Sequence, residues 1–122
     1  MDCLFCKIAK KEIDAKILFE DDLIMIIMDA FPNVDGHSLI IPKQHYETFL
    51  DIPDDLLIHI HKKAQEWGLI LLKKLEKKSL TLLNNYGEAQ AIKHYHLHLL
   101  PNYGIDKKAL HSKDEIAQKL GV

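Results

Sequence analysis

A chain of 122 residues, 48% hydrophobic and 28% charged, is sized for one core, and residues 1–122 read as a single domain. Its net charge of −2 supplies no basic field to gather nucleic acid. All 16 basic residues are lysine, so phosphate must be held by imidazoles, amides, hydroxyls or lysine rather than by a bidentate guanidinium. The opening Met1-Asp2-Cys3 carries neither a basic region nor a long apolar run. No membrane partner is expected from it, and the expected location is cytoplasmic, where Cys3 and Cys6 are not expected to form a structural disulfide.

Residues 4–11 have the spacing of a short amphipathic helix. Residues 16–19 and 23–28 read as strands around the acidic turn Glu20-Asp21-Asp22. Pro32 to Gly36 has the composition of a loop, and 38–41 a third strand ended by Pro42. Pro53 suits the first turn of a long helix to about residue 78, with Leu56, Ile60, Ala64, Trp67, Leu71 and Leu75 at the helical period. Ile58, Leu69, Ile70 and Leu72 widen that apolar stripe past one face. The surplus calls for a second covering surface, and a homodimer is the expectation; a helix set deep against a curved sheet is the alternative. Residues 80–83 and 94–100 complete five strands, and 113–120 form a short helix. Together these predict an α+β fold: a mainly antiparallel five-stranded sheet, one long helix and short terminal helices.

Within 94–100, His94, His96 and His98 recur at a spacing of two, the period of a strand. The three rings should share one face, with Tyr95, Leu97 and Leu99 packed inward on the other. Such a row can chelate a metal, or it can offer a neutral imidazole as a nucleophile while its neighbours handle charge and protons. A solvated strand that happens to be rich in histidine is the plain alternative.

The run Gln90-Ala91-Ile92-Lys93-His94-Tyr95-His96-Leu97-His98-Leu99-Leu100-Pro101 resembles the signature of the histidine triad family of nucleotide hydrolases and transferases. Earlier blocks agree in order: Cys3-Leu4-Phe5-Cys6-Lys7-Ile8, Phe19-Glu20-Asp21-Asp22, Met28-Asp29-Ala30-Phe31-Pro32, and Gly36-His37-Ser38-Leu39-Ile40-Ile41-Pro42-Lys43-Gln44-His45. The match spans residue 3 to about residue 101 and is nearest to the small Hint-type adenosine phosphoramidases.

The resemblance implies a histidine triad fold and cleavage at the α-phosphorus of purine nucleoside phosphoramidates or related conjugates, dinucleoside polyphosphates among them. It makes His96 the nucleophile, places His98 on the non-bridging oxygens, and has His94 orient His96. Asp29 corresponds to the family's acceptor of ribose hydroxyls, and the base is expected in an apolar slot near Ile17, Leu18, Phe19 and Ile27. Asn84 and Gln90 resemble polar residues near the phosphate and the leaving group, although Asn84 is as readily structural. Chemically, an imidazole with a pKa near 6.5 can attack at neutral pH and also leave, splitting one displacement into two.

Three departures bear on leaving group and rate. Ala91 stands where many relatives place Ser or Thr, the loop 84–90 is one residue short with Ala89 in place of Gly, and Asn102 follows Pro101 in place of a basic residue. Cys3-x-x-Cys6 alone is open between a redox pair, half a zinc site and two packed thiols. The resemblance joins it to His45 and His94 as a structural Zn2+ site, with no metal needed for the chemistry.

His59 and His61 are expected on a solvated surface, His37 in a local hydrogen bond, and His111 without a visible partner. Two rivals stay open: a zinc hydrolase with its metal on His94, His96 and His98, and a nucleotide- or partner-binding module of low turnover.

Overall fold

The computed structural model describes residues 3–122; Met1 and Asp2, used above for targeting, lie outside them. Helix α1 (Leu4–Ala9) leads into strands β1 (Ile17–Glu20), β2 (Ile24–Met28) and β3 (Ser38–Pro42). The long helix α2 (Asp54–Lys74), strands β4 (Leu80–Leu83) and β5 (Leu97–Pro101) and helix α3 (Lys113–Leu120) follow. The strands form one antiparallel sheet in the order β1-β2-β3-β5-β4. The expected α+β class with one five-stranded sheet and one long helix is therefore the fold found.

Strand alternation divides the core. Ile24, Ile26 and Met28 face α2 and α3, while Met25 and Ile27 face α1 with Phe5 and Ile8. A strand covered on both faces reads as an unbroken apolar run, which is why β2 is Ile-Met-Ile-Ile-Met. No helix among the described residues is long and apolar enough to cross a membrane.

Several boundaries differ from the sequence reading. Pro53 is the N-cap of α2 rather than its first turn, and the helix ends at Lys74, not near 78. Asp54 and Asp55 at its start and Lys73 and Lys74 at its end complement the helix dipole. Beyond it Glu76 takes φ 56°, which no helix continues. Strand β5 begins at Leu97, not His94. Its partner strand β3 ends in Pro42, which has no N–H to offer a ladder, and the Tyr95 N–H instead donates to Tyr46 O at 2.6 Å. Pro42 and Pro101 are last residues of their strands rather than stops outside them.

The surplus apolar stripe of α2 stays partly open. Leu69 is 54% exposed, and with Gly68, Leu72, Leu80 and Leu82 it lines a groove beside the edge strand β4. Gly68 permits this close approach: a Cβ there would meet Leu80 Cδ2 at 2.7 Å.

Candidate active site

A cavity of about 430 Å³ opens on the α1 side of the sheet. Phe5, Ile8, Ile13, Ile27, Leu39, Ala91 and Ile92 line it. His96, His98, Asp29, Asn85 and Lys113 also border it. Mostly apolar walls with a few converging polar groups suit a small organic ligand.

His96 is the most constrained of these groups. Its Nδ1–H donates to the carbonyl oxygen of His94 at 2.7 Å, which leaves the lone pair on Nε2. Its own carbonyl accepts from Asn84 Nδ2 at 3.0 Å, and its ring meets the edge of Phe5 at 5.0 Å. Burial pulls its pKa below the ordinary value, against the opposing effects of the His94 carbonyl and Asp29. His98 is pulled down to about 4, by burial first and then by its histidine neighbours. Both rings are neutral at pH 7, the form in which imidazole is a nucleophile.

Asp29 caps its own turn, accepting from the Phe31 N–H at 2.8 Å, and its other oxygen lies 3.5 Å from His37 Nε2. The same His37 nitrogen sits 2.9 Å from His98 Nδ1. His37, expected in a local hydrogen bond, accepts one from the Asn33 N–H and also joins the ring row to Asp29.

The structure separates the residues expected at the base slot. Ile27 lines the cavity, whereas Leu18 and Phe19 pack in the opposite layer, on the α2 side. A register shift between Ile17 and Phe19 is the reason: the irregular strand turns two successive side chains to one face. Gln90 also stays out of the cavity lining; its buried amide donates to Glu47 O at 2.6 Å. Asn84 holds backbone, and Asn85 reaches the cavity in its place. His59, expected on a solvated surface, and His111, expected without a visible partner, both meet carboxylates. His59 Nε2 lies 2.8 Å from Asp21, and His111 Nδ1 lies 2.7 Å from the buried Asp35.

Asp35 Oδ1 also accepts from the N–H groups of Leu110 and His111, clamping the chain where α3 begins. Ser112 and Glu115 close a capping box there, and Lys113 in the first turn borders the cavity.

Behind the ring row, Cys3, Cys6, His45 and His94 gather donor atoms within 4.8 Å of one another. His94 Nδ1 lies 3.3 Å from Cys3 Sγ, 3.5 Å from Cys6 Sγ and 3.1 Å from His45 Nδ1, and Cys6 Sγ lies 3.3 Å from His45 Nδ1. A tetrahedral zinc with Zn–N near 2.0 Å and Zn–S near 2.3 Å sets donor separations of about 3.3–3.8 Å. The four residues fit such an ion. His94 Nε2–H donates to Pro42 O at 2.8 Å, so Nδ1 presents its lone pair to the cluster. Burial and the adjacent Cys3 push the Cys6 thiol up, so a cation is needed to hold the Cys6 sulfur as a thiolate. The cluster can bind a metal.

An uncharacterised HIT-like protein of Methanocaldococcus jannaschii is 39% identical over 103 residues, covering 83% of this chain and 79% of that protein. The adenylylsulfatase HINT3 of Arabidopsis thaliana is 39% identical over 82% of this chain and 52% of its own length. Among solved structures, a zinc-bound histidine triad family protein from Mycobacterium smegmatis superposes with TM-score 0.88 at 26% identity, covering 98% of this chain and 91% of that one. The HIT domain family model matches residues 10–105, from the turn after α1 to the end of β5 and just beyond, and the chain belongs to the HIT domain family.

Proposed function

We propose that this chain is a nucleotide hydrolase or transferase that cleaves purine nucleoside phosphoramidates or related nucleotide conjugates at the α-phosphorus. The observation that carries the reading is His96: a neutral ring held by the His94 carbonyl, with the Nε2 lone pair free, bordering an apolar cavity that also contains Asp29. His96 Nε2 bonds to the α-phosphorus as the leaving-group bond breaks. The leaving group takes the bonding pair, and an amine also takes a proton from solvent. Water then adds to phosphorus, loses its proton to solvent, and releases the nucleoside monophosphate with His96 restored.

The remaining roles follow the cavity. Asp29 accepts from ribose hydroxyls, and Phe5, Ile8, Ile13 and Ile27 receive the base. His98 meets the non-bridging oxygens. Asn84 holds the backbone of His96, and Gln90 acts by tying its loop to Glu47. The relative named as an adenylylsulfatase makes sulfate one candidate leaving group, beside amines and nucleoside phosphates.

Zinc on Cys3, Cys6, His45 and His94 has a structural part in this reading, tying α1 to the strand that precedes His96. The rival with a metal on His94, His96 and His98 is not favoured by the geometry: Nδ1 of His94 faces the cysteines and its Nε2 faces Pro42 O, so His94 has no nitrogen left for such an ion. The groove along α2 and β4 is assigned to a second copy of the chain, and the protein to the cytoplasm.

The test is a turnover panel of adenosine and guanosine phosphoramidates, adenylyl sulfate and diadenosine polyphosphates, with His96→Ala as the blank. Turnover of at least one class, lost in the variant, supports the reading. Nucleotide binding without any turnover would assign a binding module instead.

A further inference from the structure

The Asn33 N–H donates to His37 Nδ1 at 3.1 Å, so that nitrogen must carry the lone pair. A neutral His37 therefore bears its proton on Nε2. The Asp29 carboxylate 3.5 Å from the same Nε2 favours a proton there as well. His37 Nε2–H then points at His98 Nδ1, 2.9 Å away, and that nitrogen must accept. Burial keeps both rings below their ordinary pKa values, so each carries one proton at neutral pH. By elimination the proton of His98 sits on Nε2.

His98 Nε2 is buried and has no hydrogen-bond partner in the protein, although the ring lines the cavity. A buried donor without a partner, at the end of a chain of paired donors, fits a group kept for a bound oxygen. The same logic disposes of a second reading. Asp29, His37 and His98 also lie close enough to hold a metal ion, but a cation there would need a lone pair on His37 Nε2, which the Asn33 N–H precludes.

We propose that His37 is a positioning residue that sets His98 in the Nε2–H tautomer, making His98 a one-directional donor to the oxygens of a bound phosphoryl group. Its effect on turnover rests on the reading of His96 above; the proton assignment does not. One backbone amide, 65 residues away in sequence from His98, orients the whole chain of protons.

The experiment pairs imidazole nitrogen NMR of the full-length protein with steady-state kinetics. Wild type is expected to show His98 with Nε2 protonated and Nδ1 bare. His37→Asn places its oxygen near the position of Nδ1 and so keeps an acceptor for Asn33, but it has no group that reaches His98. In that variant His98 should become a mixture of tautomers and kcat should fall about 10- to 100-fold, with KM nearly unchanged. His37→Gln restores an amide N–H near the position of Nε2 and should return both the single tautomer and most of the rate.

An Nδ1–H tautomer in wild type overturns the proposal, and this spectrum alone decides it if a variant fails to fold. A rate loss in His37→Asn with the His98 tautomer unchanged also overturns it, because the effect is then merely structural. A wild type with the expected tautomer and no nucleotide turnover overturns the reading of His96 and leaves the proton assignment standing.

Discussion

The carbonyl oxygen of His94 accepts from Nδ1 of His96 at 2.7 Å, while the imidazole of the same His94 sits among Cys3, Cys6 and His45. One residue therefore belongs to both clusters, by its backbone to the His96 ring and by its side chain to the four residues that can bind a metal. Through it, anything that fixes the cysteine cluster also fixes the angle of His96.

Replacing His96 with Ala is expected to lower kcat by about 10³-fold or more. The fold should persist, because the inward packing of this segment is made by Tyr95, Leu97 and Leu99. Steady-state turnover beside a thermal melt checks this. Activity within tenfold of wild type would rule out His96 as the nucleophile.

Changing Cys3 and Cys6 together to Ser should remove one metal ion per chain and lower Tm by more than about 5 °C, since binding only to the folded state stabilises it. Elemental analysis and calorimetry read the two effects. At a temperature where the variant is folded, turnover should fall only modestly. Complete loss of chemistry in a folded, metal-free variant would give the reaction to the metal.

Asp35 should make stability depend on pH. Burial pushes its carboxyl up, but hydrogen bonds from the His111 side chain and from the His111 and Leu110 N–H groups outweigh this, and its pKa is lowered. A lowered folded pKa gives stability that is present above the unfolded value of about 3.9 and lost as pH falls through the folded value. Urea unfolding should show Asp35→Asn about 1–3 kcal/mol less stable than wild type at pH 6, with the gap closing below about pH 4. A gap that stays constant down to pH 3 would refute the assignment.

A second copy covering the α2–β4 groove predicts that Leu69→Glu and Leu82→Glu each shift the protein from dimer to monomer. Light scattering at micromolar concentration measures this. A monomeric wild type would leave the exposed stripe to another partner.

Much of this architecture is legible in local pattern. Residues 80–83 and 113–120 coincide with β4 and α3, because turn residues and a Ser-x-x-Glu capping box bound them in the chain itself. The alternation of His94 to Leu99 likewise foretells which side chains enter the core. What stays hidden is set by pairing between distant segments. Nothing near Leu18 marks the irregularity that turns it and Phe19 toward α2, and the contact of His37 with His98 exists only because β3 lies beside β5. The Asp35–His111 pair joins residues 76 apart in number, with no periodic signal between them.

Helix α3 lies beyond residue 105, where the family match ends, yet it places Lys113 at the cavity and is moored there by Asp35. Part of the cavity border is thus furnished by a segment separate from the sheet. On the proposed function, exchanging the C-terminal segment should change what the cavity accepts while leaving strand register, and with it the ring row, as it was. On that same function, the modularity makes α3 the natural place to alter substrate preference without disturbing His96.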